Sequence, residues 1–386
     1  MIVKKLLFFV FALCGLCSSL AHSDLLGWFD ENLIDPEDGA FDTSSYLKSA
    51  HGFLPVPIII TEPAVGFGLG AAVAYFHPPK ELDEDVHPHS GPPSISVGFA
   101  AKTDNGTYFY GGAHSGVWKD DHIRYVGALA KLNVNMTFYP ESLENLGFGD
   151  DGIDFNVDGM LLFQKMQFRL KESNWWLGAN YLYVTADNTF KIFDDLPIDL
   201  PNPQFDFDLG ALGAFVEYDG RNTTFTPSNG IQAKLEYRSY DEALGSDFDY
   251  THLIGTVHQY TPIGEYSSLG LRLEGETVSG EVPFFGYPFV NLRGIPAMRY
   301  QGKDVLTGEA EYLWGITPRW TLVFFGGVGT TSSISKFIDE GEGETVGAGG
   351  LGFRYRMARA LGLQAGVDVA RGPEDTSIYL TIGSAW

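Results

Sequence analysis

The feature that most constrains this chain is an alternation of polar and apolar residues, which recurs in separate segments from about Pro55 onward. The clearest segment is Ile231–Tyr240, and Leu269–Gly275 and Arg124–Phe138 repeat its pattern. A period of two residues is that of a β-strand, whose side chains point alternately to opposite faces. The longer segments reach the roughly 9–11 residues that a tilted strand needs to cross a bilayer.

The connections between these segments alternate in length. The short ones are Lys119–His122, Lys171–Asn174, Thr317–Arg319 and Ala358–Ala360, and the long ones include Tyr139–Asp151, Asp187–Asp206 and Ser333–Glu344. Short periplasmic turns that alternate with long external loops are typical of a transmembrane barrel. A soluble sandwich would also alternate, but its strands are commonly shorter. We therefore predict an all-β fold, a transmembrane antiparallel β-barrel of about sixteen strands between Val56 and Trp386. An even count returns the last strand beside the first and removes the sheet edges.

The first residues have the pattern of an export signal. Lys4 and Lys5 precede the apolar stretch Leu6–Leu20, and Ala21 and Ser23 occupy the positions of a cleavage site before Asp24. A retained membrane anchor is the alternative, but the apolar stretch is shorter than the roughly 20 residues that span a bilayer. No second apolar stretch is long enough for a helical span, although glycine (47), phenylalanine (29) and tyrosine (19) are abundant.

Cleavage would change the chemistry of the mature chain. Both cysteines, Cys14 and Cys17, would leave with the signal, so no disulfide or thiolate metal site is expected. Loss of two lysines takes the formal charge from −24 to −26, which disfavours binding to nucleic acid. We expect three parts: the signal 1–23, a short periplasmic segment or partial plug 24–52, and the barrel 53–386. The stretch His77–Pro93 is expected to connect the second and third strands.

Three separated motifs stand out along the chain. The first is the stretch Pro57–Gly70, the second is a turn motif that combines Asp219 and Arg221 with Pro227 and Gly230, and the third is a loop motif that reads Leu292-Arg-Gly-Ile-Pro296. They resemble the opening hairpin, a turn and a loop of the BamA/TamA surface-antigen family of outer-membrane barrels. Against the strand count, the turn falls between strands eight and nine, and the loop between strands eleven and twelve, as in the family. The resemblance covers about Phe53–Trp386.

The resemblance implies that the loop carrying Arg293 and Gly294 folds back into the barrel, where the arginine pairs with acids on the wall. Glu309 and Glu311 share one face of their segment, so both carboxylates are expected to point inward and to bind a buried guanidinium in bidentate fashion. Spacing alone favours a solvated loop arginine, whereas the resemblance favours pairing. The family often has an aspartate where this chain has Gly327, which leaves Glu311, and then Glu309 or Asp368, as partners.

The final segment has the pattern of a membrane strand. Ile378, Leu380, Ile382 and Trp386 are expected to share one face, with Gly383 between them. A terminal aromatic residue on such a strand resembles the signal by which the barrel-assembly machinery recognises its clients. The alternative is a lipid-facing last strand with an interfacial anchor, and both interpretations are compatible.

Sites for chemistry are not found in the sequence. His87 and His89 lie in a polar connection without further ligands. His114 and Ser115, like His252 and Thr251, are neighbours in sequence and so point to opposite faces of a strand. The pair Gly349-Gly350 lies in a strand and is no phosphate loop. We expect no catalytic residue, no metal and no cofactor.

The resemblance implies a role in outer-membrane protein assembly, polypeptide translocation or lipid transport, through the lumen or through a lateral seam between Val56–Glu62 and Ile378–Trp386. Pro57 and Pro63 would remove ladder donors from the first strand. Relatives carry periplasmic POTRA domains, but 24–52 is too short for one, so we expect a separate soluble periplasmic partner or a narrower role. Outer-membrane lipid and lipopolysaccharide are the other expected partners. The first alternative to this role is a passive pore or structural barrel, and the second is an outer-membrane lipid enzyme.

Overall fold

The structure is a computed structural model that describes residues 31–49, 52–61, 64–77, 94–138, 153–191, 203–332, 343–359, 362–374 and 376–386. The expected signal peptide, most of the connection His77–Pro93, and Glu62 and Pro63 lie outside the described residues. No helix in these ranges is long and apolar enough to cross a membrane.

In the part of the chain that the structure describes, a short helix lies just before the first of sixteen strands, and this strand count confirms the prediction. The elements are α1 (Ser44–Ser49), β1 (Gly52–Ile60), β2 (Gly68–Phe76), β3 (Ile95–Thr103), β4 (Tyr108–Trp118), β5 (Ile123–Phe138), β6 (Ile153–Arg169), β7 (Trp175–Phe190), β8 (Gln204–Asp219), β9 (Gly230–Tyr240), β10 (Tyr250–Pro262), β11 (Ser268–Gly280), β12 (Asp304–Gly315), β13 (Trp320–Thr331), β14 (Thr345–Ala358), β15 (Leu363–Arg371) and β16 (Thr376–Ile382). Short 3₁₀ turns lie at Glu242–Leu244 and Phe284–Gly286.

The strands form one antiparallel sheet in which each strand pairs with its neighbours in sequence, from β1 through to β16. The strand β5 has 16 residues and β6 has 17, whereas β1 has 9 and β16 has 7. Because a strand rises about 3.3 Å per residue, the wall is much taller at β5 and β6 than at the two ends of the sheet.

The two ends of the sheet meet without a hydrogen-bonded ladder. The strand β16 does return beside β1, as predicted, and the two are in contact. Among the described residues, however, fifteen neighbouring pairs have a ladder and the pair β1–β16 has none. The predicted removal of all sheet edges is therefore wrong at this one boundary.

The inner face of the barrel is identified by the loop between β11 and β12, residues 281–303, which we call the lumen loop. It contacts β6 and β8 on one side and β12 and β15 on the other. A single loop can touch these distant walls only from inside the barrel. Apolar side chains on the opposite face are exposed and form the surface that meets lipid, for example Leu235, Tyr237, Leu271, Leu273, Ile378, Leu380 and Ile382.

The strand β5 places its apolar face inward. Met136 lies opposite Phe155 in register, and Phe155 packs against Phe284 of the lumen loop with ring centroids 5.5 Å apart. Residues opposite each other in a sheet share a face, so the alternate residues from Val126 to Phe138 line the lumen. An apolar face can point inward here because the lumen loop covers part of the inner wall with aromatic rings.

Two boundaries differ from the sequence prediction. The connection expected at Asp187–Asp206 is shorter, because β7 continues to Phe190 and β8 starts at Gln204. The last strand ends at Ile382 rather than at Trp386. The residue after it, Gly383, has a φ of +86°, a left-handed backbone conformation that turns the chain out of the strand.

Candidate functional site

The lumen loop is anchored first by aromatic packing on the β6–β8 wall. Its 3₁₀ turn places Phe284 against Phe155, and Phe285 stacks on Phe207 with ring centroids 4.5 Å apart. Phe155 and Phe207 are buried, so this contact removes apolar surface from water on both partners. We call these four residues the aromatic anchor.

The second anchor of the lumen loop is a cluster of charges around Arg293. Its Nη2 and Nε atoms both donate to Oε1 of Glu309, at 2.7 and 3.0 Å, and its Nη1 donates to Oδ2 of Asp368 at 2.8 Å. Nη2 also lies 2.7 Å from Oε2 of Glu311, an ion pair without hydrogen-bond alignment. The structure therefore brings together the arginine and all three carboxylates that the sequence named.

Two further arginines, which the sequence analysis did not identify, complete this cluster. Arg354 forms the bidentate pair that was expected of Arg293, with Nη1 2.5 Å from Oδ1 and Nη2 2.8 Å from Oδ2 of Asp368. Arg272 lies 3.4 Å from Glu309 and donates to the Asn291 carbonyl of the loop at 2.9 Å. Three arginines thus face Glu309, Glu311 and Asp368, and Arg272 also lies 3.4 Å from Glu274. Buried charges are tolerated when they are paired in this way.

Two contacts fix the position of the guanidinium and of the loop beside it. The Arg293 guanidinium lies 3.6 Å from the ring centroid of Phe325 on β13, a cation–π contact. The Gly294 amide donates to the Tyr379 hydroxyl of β16 at 2.9 Å, and its φ of +96° brings the backbone against Gly372. A side chain at residue 294 would meet the Gly372 amide nitrogen at 3.0 Å.

Gly327, which stands where the family often has an aspartate, leaves room for the lumen loop. A Cβ atom at this position would lie 2.6 Å from Cδ2 of Leu292 and 2.7 Å from the Gly308 carbonyl oxygen. Leu292 itself is buried in an apolar cluster with Val290, Ile295, Val305 and Val346. The glycine at residue 327 thus allows the loop to pack here through apolar side chains.

The turn motif forms a tight connection between β8 and β9. Arg221 donates to both carboxylate oxygens of Asp219, at 2.8 and 3.1 Å. Pro227 is buried. Gly230 has a φ of +109°, and a Cβ atom there would lie 2.2 Å from the Gly220 carbonyl oxygen, so both its conformation and its surroundings require a glycine. These contacts give the motif a structural part in shaping the turn.

The predicted C-terminal pattern is only partly correct. Ile378, Leu380 and Ile382 share the outward, exposed face of β16. Trp386 does not share it, because the chain turns at Gly383 and the indole ring lies inside the barrel beside β10 and β11. Its ring centroid is 5.7 Å from that of His258 and 5.8 Å from that of Tyr260. A Cβ atom at Gly270 would meet the Trp386 ring at 2.7 Å, so a glycine is needed there.

Other polar groupings were not predicted because they join residues from different strands. Trp176 lies fully buried between the guanidinium groups of Arg124 and Arg169, both of which bind Asp121. The Ser96 hydroxyl lies 2.9 Å from Nε2 of His77 and 2.8 Å from Nδ1 of His114. His114 and Ser115 do point to opposite faces, as expected, and His114 is opposite Ser96 in register.

Candidate metal sites are not found in the part of the chain that the structure describes, where no group of three or more His, Cys, Asp or Glu residues could hold an ion. His87 and His89 lie outside that part. Two cavities of about 240 and 260 Å³ lie, respectively, between the lumen loop and the wall and near the β8–β9 turn. The arrangement as a whole holds the loop in place by packing and charge.

Comparisons with known proteins find one family model and several solved structures that are similar to this chain. Residues 150–290 match the Omp85 superfamily domain, and no curated protein sequence matches the chain. BamA from Haemophilus ducreyi lacking POTRA domains 1–3 has a similar fold, with a TM-score of 0.54 at 10% identity over 94% of this chain and 82% of that one. CdiB from Escherichia coli (TM-score 0.55, 10% identity) and CdiB from Acinetobacter baumannii (0.52, 9%) align over 85% and 86% of this chain. The chain spans about three fifths of the length of these CdiB chains, 61% and 59%.

Sixteen antiparallel strands with an exposed apolar outer face define an integral β-barrel of the outer membrane of a Gram-negative bacterium. Within that class, residues 150–290 match the Omp85 superfamily domain, and the fold is similar to that of the BamA and CdiB barrels.

Proposed function

We propose that this barrel acts in outer-membrane protein assembly, polypeptide translocation or lipid transport, and that its substrate passes at the boundary between β1 and β16. The observation that carries the proposal is the missing ladder at this boundary in an otherwise continuous sheet. Pro55 and Pro57 support it, because each proline removes one backbone donor from β1. An edge strand with free backbone groups can pair with a further strand.

The lumen loop favours the boundary over the lumen as the route. It is anchored on two walls, by the aromatic anchor and by the Arg293 cluster, and therefore crosses the inside of the barrel. A passive pore is the alternative. It predicts large, steady conductance in planar bilayers, whereas a barrel crossed by an anchored loop should show small or no steady channels.

The test is a disulfide across the boundary. Cysteines replace Ile59 of β1 and either Ile378 or Leu380 of β16, which are exposed on the outer face and lie away from the Arg293 cluster. The control pair replaces Ala71 and Ala100, which are opposite each other in the paired strands β2 and β3. The predicted mature chain has no cysteine of its own, so only the introduced pair can form.

Each pair is expressed in the native host after deletion of the gene, and recovery of the envelope defect is measured with and without reductant. We expect the oxidised boundary pair to fail and to recover on reduction, while the control pair works in both states. Full recovery with the boundary disulfide formed would overturn the proposal. Photocrosslinking from β1 and β16 in intact cells would identify what passes, including a soluble periplasmic partner.

A further inference from the structure

The segment before β1 folds into a small acidic turn. Ile34 and Phe41 form a β-bridge, and backbone hydrogen bonds join Asp35 to Ala40 and Asp42 to Leu33, each 2.9 Å long. Leu33, Asp35 and Asp42 are buried, although the segment contains few apolar residues. Contacts with the barrel, which lies more than two hundred residues away in sequence, provide this burial.

Arg319, in the turn between β12 and β13, is the centre of these contacts. It donates to Asp35 at 2.6 Å and to Asp38 at 2.7 and 3.1 Å, and it also bonds Asp42. Its side chain is only 7% exposed. Burial opposes the charged form, but hydrogen bonds and charges from Asp38 and Asp42 outweigh it and raise the pKa of Arg319. The guanidinium is thus enclosed by carboxylates of the segment.

The turn between β14 and β15 holds the same segment. Arg359 pairs with Glu37 and lies 3.4 Å from Asp35. The Thr43 amide donates to the Met357 carbonyl at 2.6 Å, and the Tyr355 hydroxyl donates to the Phe41 carbonyl at 2.6 Å. Backbone contacts of this kind fix the position of the segment as well as its charge.

The path of the chain relates these contacts to the boundary between β1 and β16. The segment continues through α1 into β1, yet it is bound to the turns beside β13, β14 and β15. In the order of the sheet, the short way from β1 to β14 passes β16 and β15 and crosses the boundary that has no ladder. The segment therefore bridges this boundary at the periplasmic end.

We propose that residues 33–43 form a periplasmic strap that holds β1 against β16, so that release of the strap from Arg319 allows the boundary to open. That opening serves transport rests on the proposed function, whereas the closure by the strap does not. Four carboxylates (Asp35, Glu37, Asp38 and Asp42) face two arginines, so the strap carries an excess of negative charge. Loss of either arginine leaves carboxylates close together, and their repulsion favours release.

The test measures backbone hydrogen exchange of the full chain in lipid, which reports local opening of strands. Arg319→Gln removes the central cation, and a triple variant with Asn at Asp35, Asp38 and Asp42 removes the three acids that bind Arg319 while the barrel keeps its arginines. The control is Arg371→Gln at the opposite end of β15, where the side chain donates a hydrogen bond to Thr376. We expect exchange in β1 and β16 to rise roughly tenfold or more in both test variants.

Exchange in β6 and β7 should stay unchanged, and the control should behave as the native protein. A rescue separates strap release from general misfolding: cysteines at Thr43 and Met357, joined as a disulfide, should restore protection of β1 and β16 in the Arg319→Gln background. Unchanged exchange in both test variants would overturn the strap. If the boundary disulfide described above leaves function intact while exchange still depends on Arg319, the strap stands and the proposed function falls.

Discussion

At the residue scale, the three carboxylates that bind Arg293 differ in whether they have a second arginine as a partner. Asp368 has Arg354 as a second partner, and Glu309 has Arg272. Glu311 has only Arg293 among the ion pairs of the described residues. Loss of Arg293 should therefore act mainly by leaving the charge of Glu311 buried and unpaired.

We expect Arg293→Ala to destabilise the folded barrel by about 3–5 kcal/mol, the usual cost of breaking a buried ion pair. Heat-modifiability and urea unfolding in lipid would measure this effect. The double variant Arg293→Ala with Glu311→Leu should recover part of the loss, because the unpaired carboxylate is gone. A double variant no more stable than Arg293→Ala alone would contradict the role given to Glu311.

Gly326 and Gly327 are adjacent and provide a matched pair. A Cβ atom at Gly327 would lie 2.6 Å from Leu292, whereas at Gly326 the nearest atom is 3.8 Å away. We expect Gly327→Ala to loosen the lumen loop and destabilise the barrel by about 1–3 kcal/mol, as overpacking does. Gly326→Ala should be close to neutral by the same unfolding measurement. Equal effects would mean that contact with the loop does not explain Gly327.

The sequence predicted part of this cluster because a period of two placed Glu309 and Glu311 on one face, and because the family motif supplied Arg293. It missed Arg272, Arg354 and Phe325, which come from three other strands. Their proximity depends on register and on the curvature of the barrel, and a single sequence carries no direct signal for either. The sequence offered one indication of these missed residues, which was the presence of arginine at positions on the inward face of a strand.

At the element scale, the strand count and most strand positions followed from the alternation of polar and apolar residues, but the end of the last strand did not. The left-handed Gly383 ends β16 early and sends Trp386 inward, against the expected continuation of the strand. The inward apolar face of β5 likewise could not be assigned from its pattern. Apolar side chains can point either toward lipid or toward a lumen that a loop fills, so the pattern alone does not distinguish the two faces.

The lumen loop is the element whose two anchors can be tested together. Phe285→Ala removes a stacked ring from the aromatic anchor, a change that costs about 3–5 kcal/mol in a core. We expect either Phe285→Ala or Arg293→Ala alone to raise planar-bilayer conductance slightly, because the other anchor still holds the loop. The double variant should raise it by more than the sum of the two.

The control for this conductance measurement is Phe324→Ala, which removes an outward ring that contacts Tyr312 and not the loop. It should leave conductance unchanged. Additive effects of the two anchor variants would contradict the expectation that either anchor alone holds the loop.

At the scale of the whole molecule, the boundary between β1 and β16 is restrained from inside the barrel and, in our proposal, from the periplasmic end. The lumen loop binds Tyr379 of β16 through Gly294, while the strap joins β1 to the turns beyond β16. The tall wall at β5–β8 needs no such restraint, since its strands have long continuous ladders. The short strands on either side of the boundary depend on these tertiary contacts.

The strap should respond to acid in a predictable direction. The hydrogen bond from Arg319 lowers the pKa of Asp38. Burial alone would raise the pKa of Asp42, but hydrogen bonds from Ser44 and Arg319 outweigh it and lower that pKa as well. Groups with lowered pKa values contribute stability that is fully present above their unfolded pKa, about 3.9 for aspartate, and that is lost as the pH falls through the folded pKa.

We therefore expect the strap to be bound at pH 7, to start to loosen as the pH falls below about 4, and to be released as the pH passes through the lowered pKa values of Asp38 and Asp42. A spin label on a cysteine at the exposed Pro36 would report this as a change from restricted to free motion, and a label at Gly264, in the exposed β10–β11 turn, serves as the control. The triple asparagine variant should be mobile at both pH values, because the groups that titrate have been removed. Motion at Pro36 that is independent of pH in the native chain, or a pH response that persists in the triple variant, would show that Asp38 and Asp42 do not hold the strap.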